Sequence, residues 1–427
     1  MSMVLVESSH TLPLVSMSMY ARAGTAHESA AQSGITRVAT RMFRRGTRSL
    51  SSSAIDERLD ELGAELSVEV STEASALHMT VLRRNLDEAV SLLETLLSES
   101  HFPEDEVARL VRETTAEIGD ARDSDRHLAH RSFRKALFGD HPYSRRSAGR
   151  VSTLATFHSA EVKQYADTHF VAGNALFGFS GDISKEVAER VAARLCAARP
   201  TQSAPPSGLA APTQREGRHL VFVDKPERTQ TQLMIGRLGT ESHDADHTAL
   251  SVANTIFGGT FTARLMREVR SKRGWSYGAG STLSLDRLRH EFVISTSPAA
   301  KDAAPCLALE LKLLESWVGE GIKDSELKFS KGYLARSYAF ERDTASKRLG
   351  QKMDEALLDL PAGYHDSYLA RVAAVTSEQA NAALKARLSP ADLVIVVVGT
   401  HKELGAAIRD ASGVLASETV VAYTDVE

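Results

Sequence analysis

Apolar residues recur along this chain in two alternating rhythms, and the changes from one to the other outline its elements. Near the start, 3–6 and 14–22 carry the short runs of strands, and 64–71 with 75–82 read as a hairpin. Between them, 33–45 and 52–62 take the helical period. Residues 85–99 place Leu86, Val90, Leu93, Leu96 and Leu97 on one helical face, and 104–120 and 126–137 continue as helices. Past position 217 the succession returns. Strands fall at 219–223 and 231–237, helices at 246–256 and 261–271, a strand pair at 276–284 and 290–297, and long helices from 303 onward.

Each succession also closes alike. NALFGFSGDIS at 174–184 is an apolar run stopped by Gly181-Asp182, and ADLVIVVVGTHK at 391–402 is one stopped by Gly399-Thr400. An amphipathic helix precedes each run (158–168 and 377–387), and a helix opening with Lys and Glu follows each (185–196 and 402–411). Pro200, Pro205, Pro206 and Pro212, separated by Ser, Gly, Ala and Thr, mark 200–217 as a linker. The repeated order predicts a duplicated domain of about 200 residues, 1–199 and 218–427. Strand pairs segregated from helix groups predict α+β domains with mostly antiparallel sheets.

Composition changes this picture little and excludes much. Hydrophobic residues make up 42% and charged residues 25% of 427, which is globular rather than disordered or fibrous. A formal net charge of −4, without a basic run interleaved with aromatics, excludes nucleic acid as a partner. Cys196 and Cys306, the two cysteines, give neither a disulfide framework nor a zinc ribbon, and both lie in apolar helical contexts. No apolar run is long enough to cross a membrane. The opening MSMVLVESSH lacks the basic and then apolar regions of a signal peptide, so the expected location is cytoplasmic, with no membrane partner.

The segment SGITRVATRMFRRGT at 33–47 is where chemistry enters. It resembles the inverted zinc motif of the pitrilysin/insulinase peptidases, mitochondrial processing peptidases included. In these a Gly-led approach enters a helix bearing H-x-x-E-H, followed by M-x-F-x-G-T. LPLVSMSMYARAGTAHE at 12–28, the segments 55–61 and 63–70, His141-Pro142-Tyr143 and NALFGFSGD match in the same order. Gln230-Thr231-Gln232 and Phe257-Gly258-Gly259 extend the match into the second half, so the resemblance covers essentially the whole chain. It implies two duplicated α+β domains forming half of a clamshell chamber.

That chemistry needs two histidines four apart to hold zinc, with a glutamate between them as general base. Here Arg37, Thr40 and Arg41 occupy the three positions. Arginine stays protonated and has no acceptor lone pair, and a threonine hydroxyl is no base near neutrality. Glu117 stands where the resemblance places the third ligand, with Glu113 as the register alternative. No metal and no other cofactor is therefore expected on this chain. His127 and His130 read as surface residues beside Asp123 and Asp125, and His141 as a turn residue. His158, His169, His219, His243 and His247 show no convergent spacing. Arg37, Arg41 and Arg45, spaced four apart with Arg44 and Arg48 nearby, form a basic stripe. Either it pairs with Glu113 or Glu117, or it forms an anion site for an acidic peptide or a partner's carboxylates.

The second half keeps what the first has lost. In FGGTFTARLMREVRSKRGWSYGAG at 257–280, the resemblance implies an arginine and a tyrosine seven residues apart, Arg270 and Tyr277. In the family such a pair binds the substrate carbonyl and the developing oxyanion at the zinc of the other half. The implied function is that of a noncatalytic subunit in a heterodimeric zinc metallopeptidase. It would lend Arg270 and Tyr277 to a homologous zinc-bearing subunit for hydrolysis of a peptide substrate. In the zinc-bearing half, peptide adds as a strand to a sheet edge, whose equivalent here is 63–68. The alternative is a structural or peptide-binding scaffold, a homodimeric chamber without proteolytic activity. An independent metal-free hydrolase finds no Ser–His–Asp or Cys–His arrangement to support it.

Overall fold

The computed structural model describes residues 3–205 and 208–426; Met1 and Ser2 of the opening segment and Pro206 of the linker lie outside them. Two sheets organise the chain. The first holds β1 (Met3–Ser8), β2 (Leu14–Ala21), β3 (Glu65–Val70), β4 (Ser75–Leu82) and β5 (Ala175–Gly181), in the order β1-β5-β2-β4-β3. The second holds β6 (Arg218–Asp224), β7 (Gln232–Leu238), β8 (Ala279–Leu283), β9 (Glu291–Thr296), β10 (Leu393–Gly399) and β11 (Ser417–Ala422), in the order β11-β6-β10-β7-β9-β8. In the first sheet only β1 and β5 pair in parallel; in the second, β6 pairs in parallel with both β10 and β11. The remaining pairs are antiparallel. The architecture is α+β. Matching β6, β10, β7, β9 and β8 to β1, β5, β2, β4 and β3 makes the two orders identical, so the repeat in sequence is a repeat in topology. The additional strand is β11, which the hydrophobic pattern did not announce.

Each sheet has its own core. In the first, Met17, Met19, Phe177 and Phe179 pack with Ile35, Val38, Ala39 and Met42 of the helix that carries the degenerate motif. In the second, Phe222, Ile395 and Val397 pack with Phe257 and Trp317, whose rings stack at 4.2 Å. All seven residues of β10 are buried, which explains its unbroken apolar run.

The compact units are not the continuous stretches 1–199 and 218–427. Residues 120–144 belong with 210–340 and the chain beyond 358, while 341–357 belong with the chain up to 119 and with 145–209. Helix Ala345–Leu357 lies on β1 and β5, where Gly178 makes room for it: a Cβ there would come within 2.9 Å of Met353 Sδ. Its Arg348 and Lys352 pair with Glu7 of β1 at 2.9 and 2.6 Å. Helix Asp125–Phe138 lies on β6, β7 and β10, and Gly236 leaves space for Phe133. The buried Lys225 donates to the carbonyls of Arg122 and Asp123 at 2.9 Å and to Asp125 Oδ1 at 2.8 Å, fixing that helix at its start. Periodicity marks a helix as having an apolar face, but it does not say which sheet the face will meet.

One core group makes stability depend on pH. Glu310, on helix Ala303–Glu320, has no exposed surface; burial pushes its carboxyl up to about 8, and the Cys306 thiol lies 3.8 Å away. Between pH 4.5 and about 8 the unfolded chain ionises this group while the folded chain keeps it protonated, so folding stability falls as pH rises through that window. Glu310→Gln should flatten the fall. Urea unfolding at pH 5.5 and 8 should show the variant gaining on the wild type by about 2–4 kcal/mol across the interval. Parallel pH profiles would disprove the assignment.

Candidate functional site

The motif helix Ile35–Met42 is fixed at its entrance. Gly34 has φ +98°, and a Cβ on it would meet Gly149 Cα at 2.9 Å, so the turn requires glycine. The Glu28 carboxylate accepts from the backbone N–H of Gly34 at 2.9 Å and of Thr36 at 3.0 Å, satisfying donors at the start of the helix. Burial raises the Glu28 carboxyl to about 7 even though these two donors favour its charged form. Thr36 Oγ1 lies 2.7 Å from the Tyr165 hydroxyl, which ties the same turn to helix Ser159–His169.

On the face this helix presents, Arg37 and Arg41 clasp one carboxylate. Arg37 Nη2 donates to Glu117 Oε2 at 2.6 Å, and Arg41 Nη1 to Glu117 Oε1 at 3.1 Å. One turn on, Arg45 Nη2 donates to Glu113 Oε2 at 2.6 Å, and Arg109 Nε reaches Glu113 Oε1 at 3.1 Å. Burial works to raise the Glu113 carboxyl, but Arg45 and Arg109 together hold it below its ordinary value. The carboxylate register is thereby assigned: Glu117 faces the two former ligand positions, and Glu113 serves mainly Arg45. Thr40 is fully buried, and its hydroxyl donates back to the Thr36 carbonyl at 2.6 Å, so the position of the general base does not reach the site.

These residues do not fit zinc. Two guanidinium groups stand where neutral imidazoles would have to be, and together they carry the formal charge of a divalent cation beside Glu117. Among the described residues no cluster of three His, Cys, Asp or Glu side chains could hold a metal. His127 and His130 are exposed, and His130 lies 3.5 Å from Glu291. The arginine face lines a cavity of about 1050 Å³ together with β3, the edge strand of its sheet. The outlying segment 63–68 enters that strand only at Glu65. Its Leu66 carbonyl is taken by Arg44, which also pairs with Asp56 at 2.8 Å. Strand addition at this edge would have to displace Arg44.

In the second unit the stretch 261–271 is not a plain helix. Residues Met266–Ser271 form a π-helical turn, wider than an α-turn and common at functional sites. It carries Arg270, whose guanidinium carbon lies 4.5 Å from the centre of the Tyr277 ring. A third residue joins them that the sequence did not single out. The ring of Phe261 lies 4.6 Å from the same guanidinium carbon. Tyr277 is 86% exposed and Phe261 67%. All three line a cavity of about 1230 Å³, with Gln232, Trp275 and Tyr333 among its other walls. Among the described residues, Arg270 has no carboxylate partner. An exposed Phe in a Thr-Phe-Thr loop reads as loop; the signal that marks Phe261 is an exposed aromatic just after Gly258-Gly259.

The first unit thus carries a helix whose arginines are closed by carboxylates, and the second carries an open arginine–aromatic site. Residues 3–150 match the family model described as insulinase (peptidase family M16), and 156–334 match the one described as the peptidase M16 inactive domain. The chain belongs to the M16 insulinase family. Within it, this member has Arg37 and Arg41 where the motif has its two histidines, and Thr40 where it has the glutamate base. An uncharacterized zinc protease of Rickettsia bellii is 26% identical over 314 residues, 73% of this chain and 75% of that one. A non-peptidase homolog, YmxG, of Helicobacter pylori is 20% identical over 401 residues, 94% and 92% of the two chains. Among solved structures, a peptidase M16 inactive domain from Pseudomonas fluorescens superposes with a TM-score of 0.86 at 26% identity, covering 93% of this chain and 97% of that one. The first half of the periplasmic protease PqqL from Escherichia coli shares the fold, with a TM-score of 0.79 at 13% identity over 97% and 95% of the chains. No helix among the described residues is long and apolar enough to cross a membrane.

Proposed function

We propose that this chain is the noncatalytic subunit of a heterodimeric zinc metallopeptidase. It lends Arg270 and Tyr277 to a homologous partner that carries the intact H-x-x-E-H motif and the zinc. The observation that carries the reading is the contrast between two sets of arginines. Arg37, Arg41, Arg44 and Arg45 are each paired with a carboxylate inside the chain. Arg270 is stacked on aromatic rings, with no counter-ion among the described residues, and so keeps its N–H edge available. A guanidinium placed beside a phenol is a donor set for a polarised peptide carbonyl. The non-peptidase name of the Helicobacter pylori relative agrees with a chain that does not cleave alone.

The test is reconstitution. Purified chain, a homologous subunit with the complete motif, and their mixture are compared for metal content and for hydrolysis of a quenched fluorescent peptide. Hydrolysis is expected in the mixture alone, with metal following the partner. A partner that is equally active alone, or a mixture that forms no complex, rejects the proposal in favour of the scaffold.

A further inference from the structure

We infer that the Arg270 site selects peptides presenting a carboxylate, and that Phe261 is the residue that sets this selectivity. The inference rests on the reading of Arg270 and Tyr277 as a substrate-binding pair and names the class of substrate. Three observations carry it. First, the guanidinium of Arg270 is flanked by two rings, Phe261 at 4.6 Å and Tyr277 at 4.5 Å. The guanidinium carbon lies over both rings, and its N–H donors have no carboxylate partner among the described residues, so that fork is left for a ligand. That fork can also take the two oxygens of a carboxylate as a bidentate pair. Second, the charged side chains lining the cavity are Arg126, Arg270 and Lys301 against Asp302 alone. None of these four makes an ion pair among the described residues, so the wall carries an uncompensated positive charge. Third, the loop bearing Phe261 is pinned rather than loose. Ser281 N–H donates to the Gly258 carbonyl at 3.1 Å, and Asn254 Nδ2 donates to the Ser281 carbonyl at 3.2 Å. A Cβ on Gly258 would come within 2.3 Å of Ser281 Oγ, which holds the loop against β8.

Phe261 otherwise has no packing role that would explain its place: it is 67% exposed and outside the buried core. Removing its ring frees the guanidinium to rotate and to hydrate on one face. The positive charge survives, but the direction of the fork is lost. Phe261 is therefore a positioning residue, acting through Arg270.

The carboxylate could be an Asp or Glu side chain or a peptide C-terminus, and the experiment separates the two. Four octapeptides bearing an uncharged BODIPY label are titrated against the full chain by anisotropy: central Asp or central Asn, each with a free or an amidated C-terminus. The expected result is about tenfold tighter binding of one pair than of its counterpart, Asp over Asn or free acid over amide. Tighter binding of the Asp pair points to a side-chain carboxylate, and of the free-acid pair to a C-terminal one. Phe261→Ala and Arg270→Ala should both abolish the preference, and Phe261→Tyr should keep it. Equal affinities for all four peptides, or a preference that survives Phe261→Ala, overturns the inference. The two readings fail separately. If Arg270→Ala lowers hydrolysis by the mixed enzyme while the four peptides bind alike, the pair reading stands and the carboxylate reading falls. If the preference needs Arg270 but hydrolysis does not, the reverse holds.

Discussion

Alanine at Arg270 is expected to lower kcat/KM of the mixed enzyme by about 100- to 1000-fold, the usual effect of removing one preorganised oxyanion donor. Tyr277→Phe removes a hydroxyl and keeps the ring on the guanidinium, and should cost about tenfold. Arg270→Lys is the informative intermediate. It keeps the charge but loses the planar group that the rings of Phe261 and Tyr277 hold, so it should recover only part of the loss. The loss should fall mainly on kcat if the donors strengthen as charge develops, and mainly on KM if they bind the ground state equally well. Stability is the control. Tyr277 and Phe261 are exposed and Arg270 pairs with no carboxylate among the described residues, so each variant should stay within about 1 kcal/mol of the parent fold. Unchanged kcat/KM in both Arg270→Ala and Tyr277→Phe would leave the pair without a role in catalysis and sink the proposed function.

Much of the frame could be read in the chain itself. Gly181 and Gly399 stop apolar runs at corresponding places, and the structure puts those runs at corresponding positions, β5 and β10, of two sheets with the same order. The positions 37, 40 and 41 came from the resemblance to the inverted zinc motif; what the residues themselves add is that arginine cannot ligate a cation. What stayed hidden depends on distant partners. Helix Asp125–Phe138 packs on β6, β7 and β10 rather than on the sheet it follows, a choice made by Gly236 and Lys225 nearly a hundred residues on. Strand β11 is half exposed and polar at its start, so its six residues resemble a tail until β6 pairs with them. Glu113 and Glu117 are one helical turn apart, and only the reach of Arg37 and Arg41 decides between them. Arg44 could be counted within the basic stripe, but its hold on the Leu66 carbonyl needs β3 and the motif helix to be folded together.

The loss in the first unit should itself be reversible. Arg37→His combined with Arg41→His is expected to give a chain that binds one zinc ion, because the third ligand is already aimed at both positions. The two guanidiniums reach the same Glu117 carboxylate at 2.6 and 3.1 Å from successive turns of one helix. An imidazole, a metal and its two bonds span about the gap that a guanidinium and its hydrogen bond now fill. The helix needs no rearrangement, since Glu28 fixes its start and Ile35, Val38, Ala39 and Met42 anchor its other face. Glu113 keeps Arg45 and Arg109 as its closer partners, although it also lies 3.6 Å from Arg41 Nη2. Zinc at a hundredfold excess over its dissociation constant should then raise the unfolding free energy by about 2.7 kcal/mol, and the wild type should show no such shift. The gain should vanish as the introduced imidazoles protonate below about pH 6. Adding Glu117→Ala to the double variant should abolish it at any pH; zinc retained without Glu117 would mean that the metal sits elsewhere. Hydrolysis is not expected to return with the metal. Thr40 is fully buried and bonded to the Thr36 carbonyl, so Thr40→Glu would force a carboxylate into the core of the motif helix, at a cost of several kcal/mol. Metal binding is therefore two substitutions away, while the general base is blocked by the packing that closed over its former position.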